Sequence, residues 1–145
     1  MLKKILVPTD GSELSGKAIT GAVDVAKQLG ATLVGMTVTE PYPYSAISDY
    51  SPTESHEHYE SRVKEEAEGR LASLKAAAQA AGVALSTEIR SSVSPYEAII
   101  AVAKDQGCDT IFMASHGRRG FTGLLLGSET HKVLTHSTIP VLVFR

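Results

Sequence analysis

The chain has a single cysteine, Cys108, so no disulfide can form within it, and a reducing interior is its expected setting. Cys108 precedes an apolar run in GCDTIFMAS and reads as a small half-buried residue rather than a redox group. No large charge of either sign is present. The 14 Lys and Arg against 16 Asp and Glu leave a formal net charge of −2, which argues against a nucleic-acid partner. A small anionic ligand needs only a local site and is not excluded. No apolar run is long enough to span a bilayer, so no membrane partner is expected. The opening MLKKILVPTD offers only the apolar stretch Ile5 to Pro8 before a turn, too little for a secretory core. These absences make the cytoplasm the expected location.

Two phosphate motifs are also missing. The Gly127-Ser128 pair lacks the lysine of G-x-x-x-x-G-K-[ST], and no G-x-G-x-x-G follows the first strand. The chain is therefore neither a P-loop NTPase nor an ordinary dinucleotide binder. No Ser–His–Asp or Cys–His set has a recognisable catalytic spacing, and no residue stands out as a general base. His56 and His58 lack the further ligands a metal would need and are expected to be solvent-exposed. The run KEEAEGR reads as a charged helix face.

What is present is an ordinary globular composition, 43% hydrophobic over 145 residues, enough for one domain spanning residues 1–145. KKILVPT reads as a buried strand ending at the turn Asp10-Gly11. Ser12 can cap a helix carrying the stripe Leu14, Ala18, Ala22, Val25 and Leu29, with Gly30 past its end. A second strand runs through ATLVGMTVTE. The irregular PYPYSAISDYSPTES follows, a segment readable either as a lid or as a surface loop. The next helix spans about 55–81 with a stripe of Val63, Ala67, Leu71, Leu74, Ala78 and Ala81, and Gly82 stops it. ALSTEIRS is a strand with one polar face, expected near an edge. SPYE reads as a capping box, with Ser94 as cap, Pro95 first in the helix and Glu97 reaching back. Gly107 stops that helix. DTIFMAS, a helix over 128–136 and TIPVLVFR complete a strict alternation of strands and helices. Such alternation predicts a parallel sheet with helices on both faces.

In such sheets ligands bind beyond the carboxyl ends of strands, where strand order reverses. Pro8 to Ser12 and MASHGRRGFTGLLLGSET both fall at such ends. The latter holds four glycines between Gly117 and Gly127, together with Arg118 and Arg119. Positive φ at these glycines would let amides converge on an anion, and the helix opening at Gly127-Ser128 offers unpaired N–H groups. The loop reads as a polyphosphate cradle or, equally simply, as a tight strand-to-helix turn with Ser128 capping its helix. Asp10 could accept from a ribose or base amino group, or hold Mg²⁺ beside a triphosphate.

ILVPTDGS, ASHGRRGFTGLLLGS and STIPVLVF together resemble the universal stress protein family over essentially the whole chain. The resemblance implies an open, Rossmann-like five-stranded parallel sheet of order 3-2-1-4-5. It also implies a homodimer, often paired through the last strand, here Pro140 to Phe144. ATP-binding members carry G-x2-G-x9-G-[ST]. Gly117, Gly127 and Ser128 match this motif, while Ala114 replaces its first glycine. By resemblance, Gly117, Gly127 and Ser128 would meet the triphosphate, and Pro8, Thr9, Asp10 and Val38 the adenine and ribose. Met113, Ala114, Ser115, His116, Arg119, Glu129 and Thr130 complete the implied ATP site. A strand conformation at Ala114 would add only a methyl group, whereas positive φ there would cost about 1 kcal/mol or more. Val93 stands where many relatives have glycine, which stiffens the neighbouring loop. The implied function is an ATP-binding stress-response protein in which nucleotide, with or without Mg²⁺, regulates or stabilises the dimer. Two readings stay open beside it: a nucleotide-free interaction or holdase-type dimer, which Ala114 favours, and a slow ATPase or autophosphorylating protein.

Overall fold

The computed structural model describes residues 1–43, 54–117 and 125–145. Its elements, in order, are β1 (Lys4–Pro8), α1 (Glu13–Leu29), β2 (Thr32–Thr39), α2 (His56–Ala81), β3 (Leu85–Ser91), α3 (Pro95–Asp105), β4 (Thr110–Ala114), α4 (Ser128–His136) and β5 (Val141–Phe144). The strands form one parallel five-stranded sheet in the order β3-β2-β1-β4-β5, as expected. The chain steps outward from β1 to β3, then returns across β1 to β4 and β5. Strand order therefore reverses between β1 and β4, and this is where the sheet splits at its carboxyl edge.

Alternate side chains of each strand feed two cores. Ile5, Val7, Leu33 and Phe112 pack against α1 and against Leu74 of α2. Leu6, Val34, Met36, Ile111 and Met113 pack against α3 and against Val133 of α4. At Gly35 the two layers approach so closely that a Cβ would strike the Leu74 side chain. The local punctuation is as read: the Ser12 side chain accepts from Ser15 N–H, and Gly30, Gly82 and Gly107 all take left-handed φ at +65°, +69° and +64°. No helix among the described residues is long and apolar enough to cross a membrane.

Two local expectations are corrected, and the last strand adds an observation. The buried face of α1 is Ser15, Ala18, Ile19, Ala22, Val23 and Ala26, while Leu29 is 55% exposed. The stripe is centred on the β-branched Ile19 and Val23, with Leu14 and Val25 only flanking it. Ser94 precedes α3, but its side chain makes no capping bond, and Glu97 instead accepts from Tyr96 Oη at 3.1 Å. The last strand is apolar without being covered: Val141, Val143 and Phe144 are half-buried and Leu142 is 37% exposed, because β5 lies at the sheet edge.

The segment weighed as a lid falls mainly on 44–53, outside the described residues. Its flanks are tied together: Tyr42 Oη donates to Glu54 O at 2.9 Å and Tyr59 Oη to Glu40 O at 3.0 Å. Cys108 is 6% exposed, and burial pushes its thiol pKa up, in keeping with an inert core residue. His56 and His58 are solvent-accessible and lie near Glu60 and Glu54 respectively. No group of three or more metal-ligating side chains occurs among the described residues.

Candidate functional site

The reversal point brings the ends of β1, β2 and β4 and the start of α4 to one crevice. On the β1 side, Thr9 N–H donates to Met36 O at 2.8 Å, the last link between β1 and β2. Thr9 is 6% exposed and its hydroxyl bonds that of Ser15, pinning the turn to α1. Asp10 then forms an Asx turn, with Oδ1 accepting from Ser12 N–H at 3.0 Å. Gly11 reverses the chain at φ +78°.

On the β4 side, Ser115 continues the sheet, its N–H donating to Phe144 O at 2.7 Å. Its carbonyl accepts from Gly127 N–H, also at 2.7 Å, which seats the start of α4 directly on the end of β4. Thr130, 3% exposed, adds a second tie from its hydroxyl to Ala114 O at 3.0 Å.

The two motif glycines serve clearance, not unusual φ. Gly127 has φ −69°, and Gly117 is not among the positive-φ glycines. A Cβ at Gly117 would stand 2.5 Å from Asp10 Oδ2, so the two loops meet across the crevice. A Cβ at Gly127 would lie 3.3 Å from both His116 Cα and Ser115 O. The expectation of a positive-φ nest at these two positions is thus replaced by close packing, against backbone at Gly127 and against the Asp10 carboxylate at Gly117. Gly120, Gly123, Arg118 and Arg119 lie outside the described residues.

Gly127, not Ser128, is the N-cap of α4, and it supplies no side-chain acceptor. Its own N–H is already used by Ser115. The donors left at this helix start are the N–H groups of Ser128, Glu129 and Thr130, which have no intrahelical acceptor by helix geometry. Unpaired donors of this kind, with the positive end of the helix dipole, are groups that suit an anion. Beside them His116 Nδ1 and Ser115 Oγ share a 3.0 Å hydrogen bond, while the buried Nε2 has no partner among the described residues. Leaving a buried polar atom unmet typically costs about 1–3 kcal/mol, which a ligand group can relieve.

Ala114 takes a strand conformation without positive φ, and its methyl group belongs to the core on the α1 side. The replacement of glycine there puts no strain in the backbone. Met113 and Ser115 are also buried, at 6% and 1% exposure, so these residues shape the site through their backbone. Pro8 and Val38 are half-buried at the ends of β1 and β2. Val93 is 85% exposed on the loop before α3.

Glu129 poses a physical problem, since a carboxylate in the first turn of α4 would repel an anion held there. The side chain turns away. Its Oε2 accepts from Tyr96 N–H at 2.9 Å, and its Oε1 lies 3.2 Å from Lys132 Nζ. Glu129 therefore caps α3, the role expected of Ser94, and its charge is offset by Lys132. The Tyr96 ring lies against α4, 5.1 Å from that of His136. We expect Glu129→Ala to lower stability by about 1 kcal/mol, as for the loss of an N-cap, and Glu129→Gln by less because it keeps an acceptor. Urea denaturation of the two variants measures this, and equal, wild-type midpoints would contradict the capping role.

Comparison with known proteins bears on this arrangement. A family model described as the universal stress protein family matches residues 1–145. Universal stress protein MJ0531 of Methanocaldococcus jannaschii is 33% identical over 146 residues, covering 100% of this chain and 83% of that protein. Among solved structures, protein MJ0577 of the same organism superposes with a TM-score of 0.81 at 29% identity, covering 99% of this chain and 95% of that one. A universal stress protein crystallised in complex with cAMP shares the fold, with a TM-score of 0.71 at 21% identity, covering 99% of this chain and 96% of that one. The match over the full length, the strand order and the glycine-packed crevice agree, and the chain belongs to the universal stress protein family.

Proposed function

We propose that this protein binds ATP, with or without Mg²⁺, as a regulatory or stabilising ligand of a homodimeric, single-domain stress-response protein. The observation that carries the reading is the start of α4. It is uncapped by any side chain, and Gly127 holds it against β4 where a Cβ would meet backbone. That arrangement leaves three helix N–H groups without an intrahelical acceptor beside the crevice, across which Asp10 of the β1 loop meets Gly117 of the β4 loop. A polyphosphate on Ser128, Glu129 and Thr130 would place its sugar and base toward Pro8, Thr9, Asp10 and Val38. The adenine nucleotide held by the cAMP-bound relative supports this at the level of the fold. Binding to the folded state alone would stabilise it by mass action, so no turnover is required for nucleotide to act.

The nucleotide-free reading leaned on Ala114, and the strand conformation of Ala114 removes that support. The homodimer reading rests on the contrast between the two sheet edges. β3 carries Glu88 and Arg90, engaged by Gln106 at 2.8 Å and Asp105 at 3.7 Å, whereas β5 is uncharged. An uncharged edge invites pairing.

The test is calorimetric titration of nucleotide-stripped protein with ATP, with and without Mg²⁺. Dissociation constants in the micromolar range, about −8 kcal/mol, are expected. Folded protein that binds no ATP under either condition refutes the reading.

A further inference from the structure

Arg70 lies on the sheet-facing side of α2, among alanines and leucines, with its side chain only 19% exposed. Its stem runs along the β1–α1 turn: a Cβ at Gly11 would be 3.1 Å from Arg70 Cγ and 3.8 Å from its Cα. Its guanidinium crosses to the end of β2, where Nη1 donates to Val38 O at 3.1 Å. Nη2 stands 4.0 Å from Glu66 Oε2, which offsets part of the charge.

The strand geometry explains why Val38 O takes a side-chain donor. In a strand, successive backbone groups point to opposite neighbours. Met36 O accepts from Thr9 N–H on the β1 side, and Thr39 O accepts from Ser92 N–H on the β3 side. Val38 therefore turns its carbonyl toward β1. The registered pairing with β1 has already ended at Pro8 and Met36. The next inward N–H of the β1 chain, that of Gly11, bends back to Thr9 Oγ1 at 3.2 Å. Arg70 takes the place of the missing strand at the point where the sheet opens into the crevice.

One side chain thus joins the turn that carries Asp10, the end of β2 and the middle of α2. We propose that Arg70 is a positioning residue for the nucleotide site, holding the Asp10–Gly11 turn and Val38 at the separation that the base and ribose require. The proposal rests on the nucleotide reading above and assigns Arg70 to the base-and-ribose half of the site. The polyphosphate half, at α4, is built without it.

The test compares ATP with inorganic tripolyphosphate on wild type, Arg70→Met and Arg70→Lys, by calorimetry at one ionic strength. Arg70→Met keeps the stem along Gly11 and loses every donor. It is expected to weaken ATP by about tenfold, the worth of a lost positioning hydrogen bond, while tripolyphosphate affinity stays within about twofold. Arg70→Lys keeps the charge and loses the planar fork, so ATP affinity should fall between the other two. Unchanged tripolyphosphate binding also reports that the variant is folded, and if Arg70→Met does not fold, Arg70→Lys carries the same comparison. Equal loss of both ligands would make Arg70 a plain electrostatic attractor and overturn the proposal. Wild-type ATP affinity in the folded variants overturns it alone, leaving the nucleotide reading intact. Wild-type protein that binds neither probe overturns the nucleotide reading and this proposal with it.

Discussion

Gly127→Val is expected to reduce ATP affinity by about 100-fold or more while leaving the protein folded. The reason is local and steric. Gly127 has φ −69° and ψ 157°, an extended conformation open to any residue, so the substitution introduces no backbone strain. What it introduces is bulk at a contact between backbones. A Cβ would meet His116 Cα and Ser115 O at 3.3 Å, before the two γ-methyl groups of valine are added. Neither neighbour can withdraw freely, because Ser115 N–H is bonded to Phe144 O across the sheet at 2.7 Å. The start of α4 must move instead. That loosens the bonds from Gly127 N–H to Ser115 O and from Thr130 Oγ1 to Ala114 O, which aim the helix N–H groups into the crevice. Overpacking of this kind costs about 1–3 kcal/mol of stability, within reach of a domain of this size. Gly127→Ala adds only the Cβ and should lie between wild type and valine. A titration series following glycine, alanine, valine in that order fits the cradle. A valine variant that melts near wild type and binds ATP as wild type does would rule the cradle out.

The same contacts mark the boundary of what could be read from the amino-acid order. Signals that act within a few residues were legible. Helical period places α2, glycines in left-handed φ end two helices and follow the third, and Ser12 caps α1 as its place ahead of the apolar stripe predicts. Strict alternation of strands and helices gave the parallel sheet, and the family resemblance its order. Where the reading failed, a distant partner had intervened. Ser94 was expected to cap α3, but Glu129, 33 positions from Tyr96, supplies the acceptor. Nothing near Ser94 encodes that partner. Glu129 and Thr130 were assigned to the ligand as residues, yet their side chains serve the joints of α4, and only their backbone faces the crevice. Arg70 closes the run KEEAEGR, which reads as a charged helix face, yet its side chain is only 19% exposed. Its role depends on where β1 leaves the sheet, a fact of three-dimensional register. The expected positive φ is absent at Gly117 and Gly127, since sequence does not distinguish a glycine needed for φ from one needed for clearance.

Val143→Pro is expected to convert the proposed dimer into a monomer. Pro140 O and Phe144 O both accept from β4, so residues of even number in β5 face β4 and those of odd number turn their backbone groups outward. Val143 is therefore an outward donor on the free edge. Proline removes that donor, and its ring obstructs an approaching strand, while the bond from Ser115 N–H to Phe144 O is left in place. The edge it would block combines outward backbone groups with Leu142, 37% exposed, and Leu134 of α4, 40% exposed, so pairing would bury apolar surface as well as satisfy hydrogen bonds. Thr87→Pro is the matched control at the other edge. Ala84 O and Ser92 N–H engage β2, so Thr87 likewise faces outward from β3. Sedimentation velocity should find Thr87→Pro dimeric and Val143→Pro monomeric, the latter with association weakened by about 100-fold or more, as expected when a strand edge loses a donor and its fit together. The reverse pattern would move the interface to β3, where Glu88 and Arg90 would then have to be paired across it. Two monomeric variants together with a monomeric wild type would remove the dimer from the reading and leave nucleotide acting on a single chain.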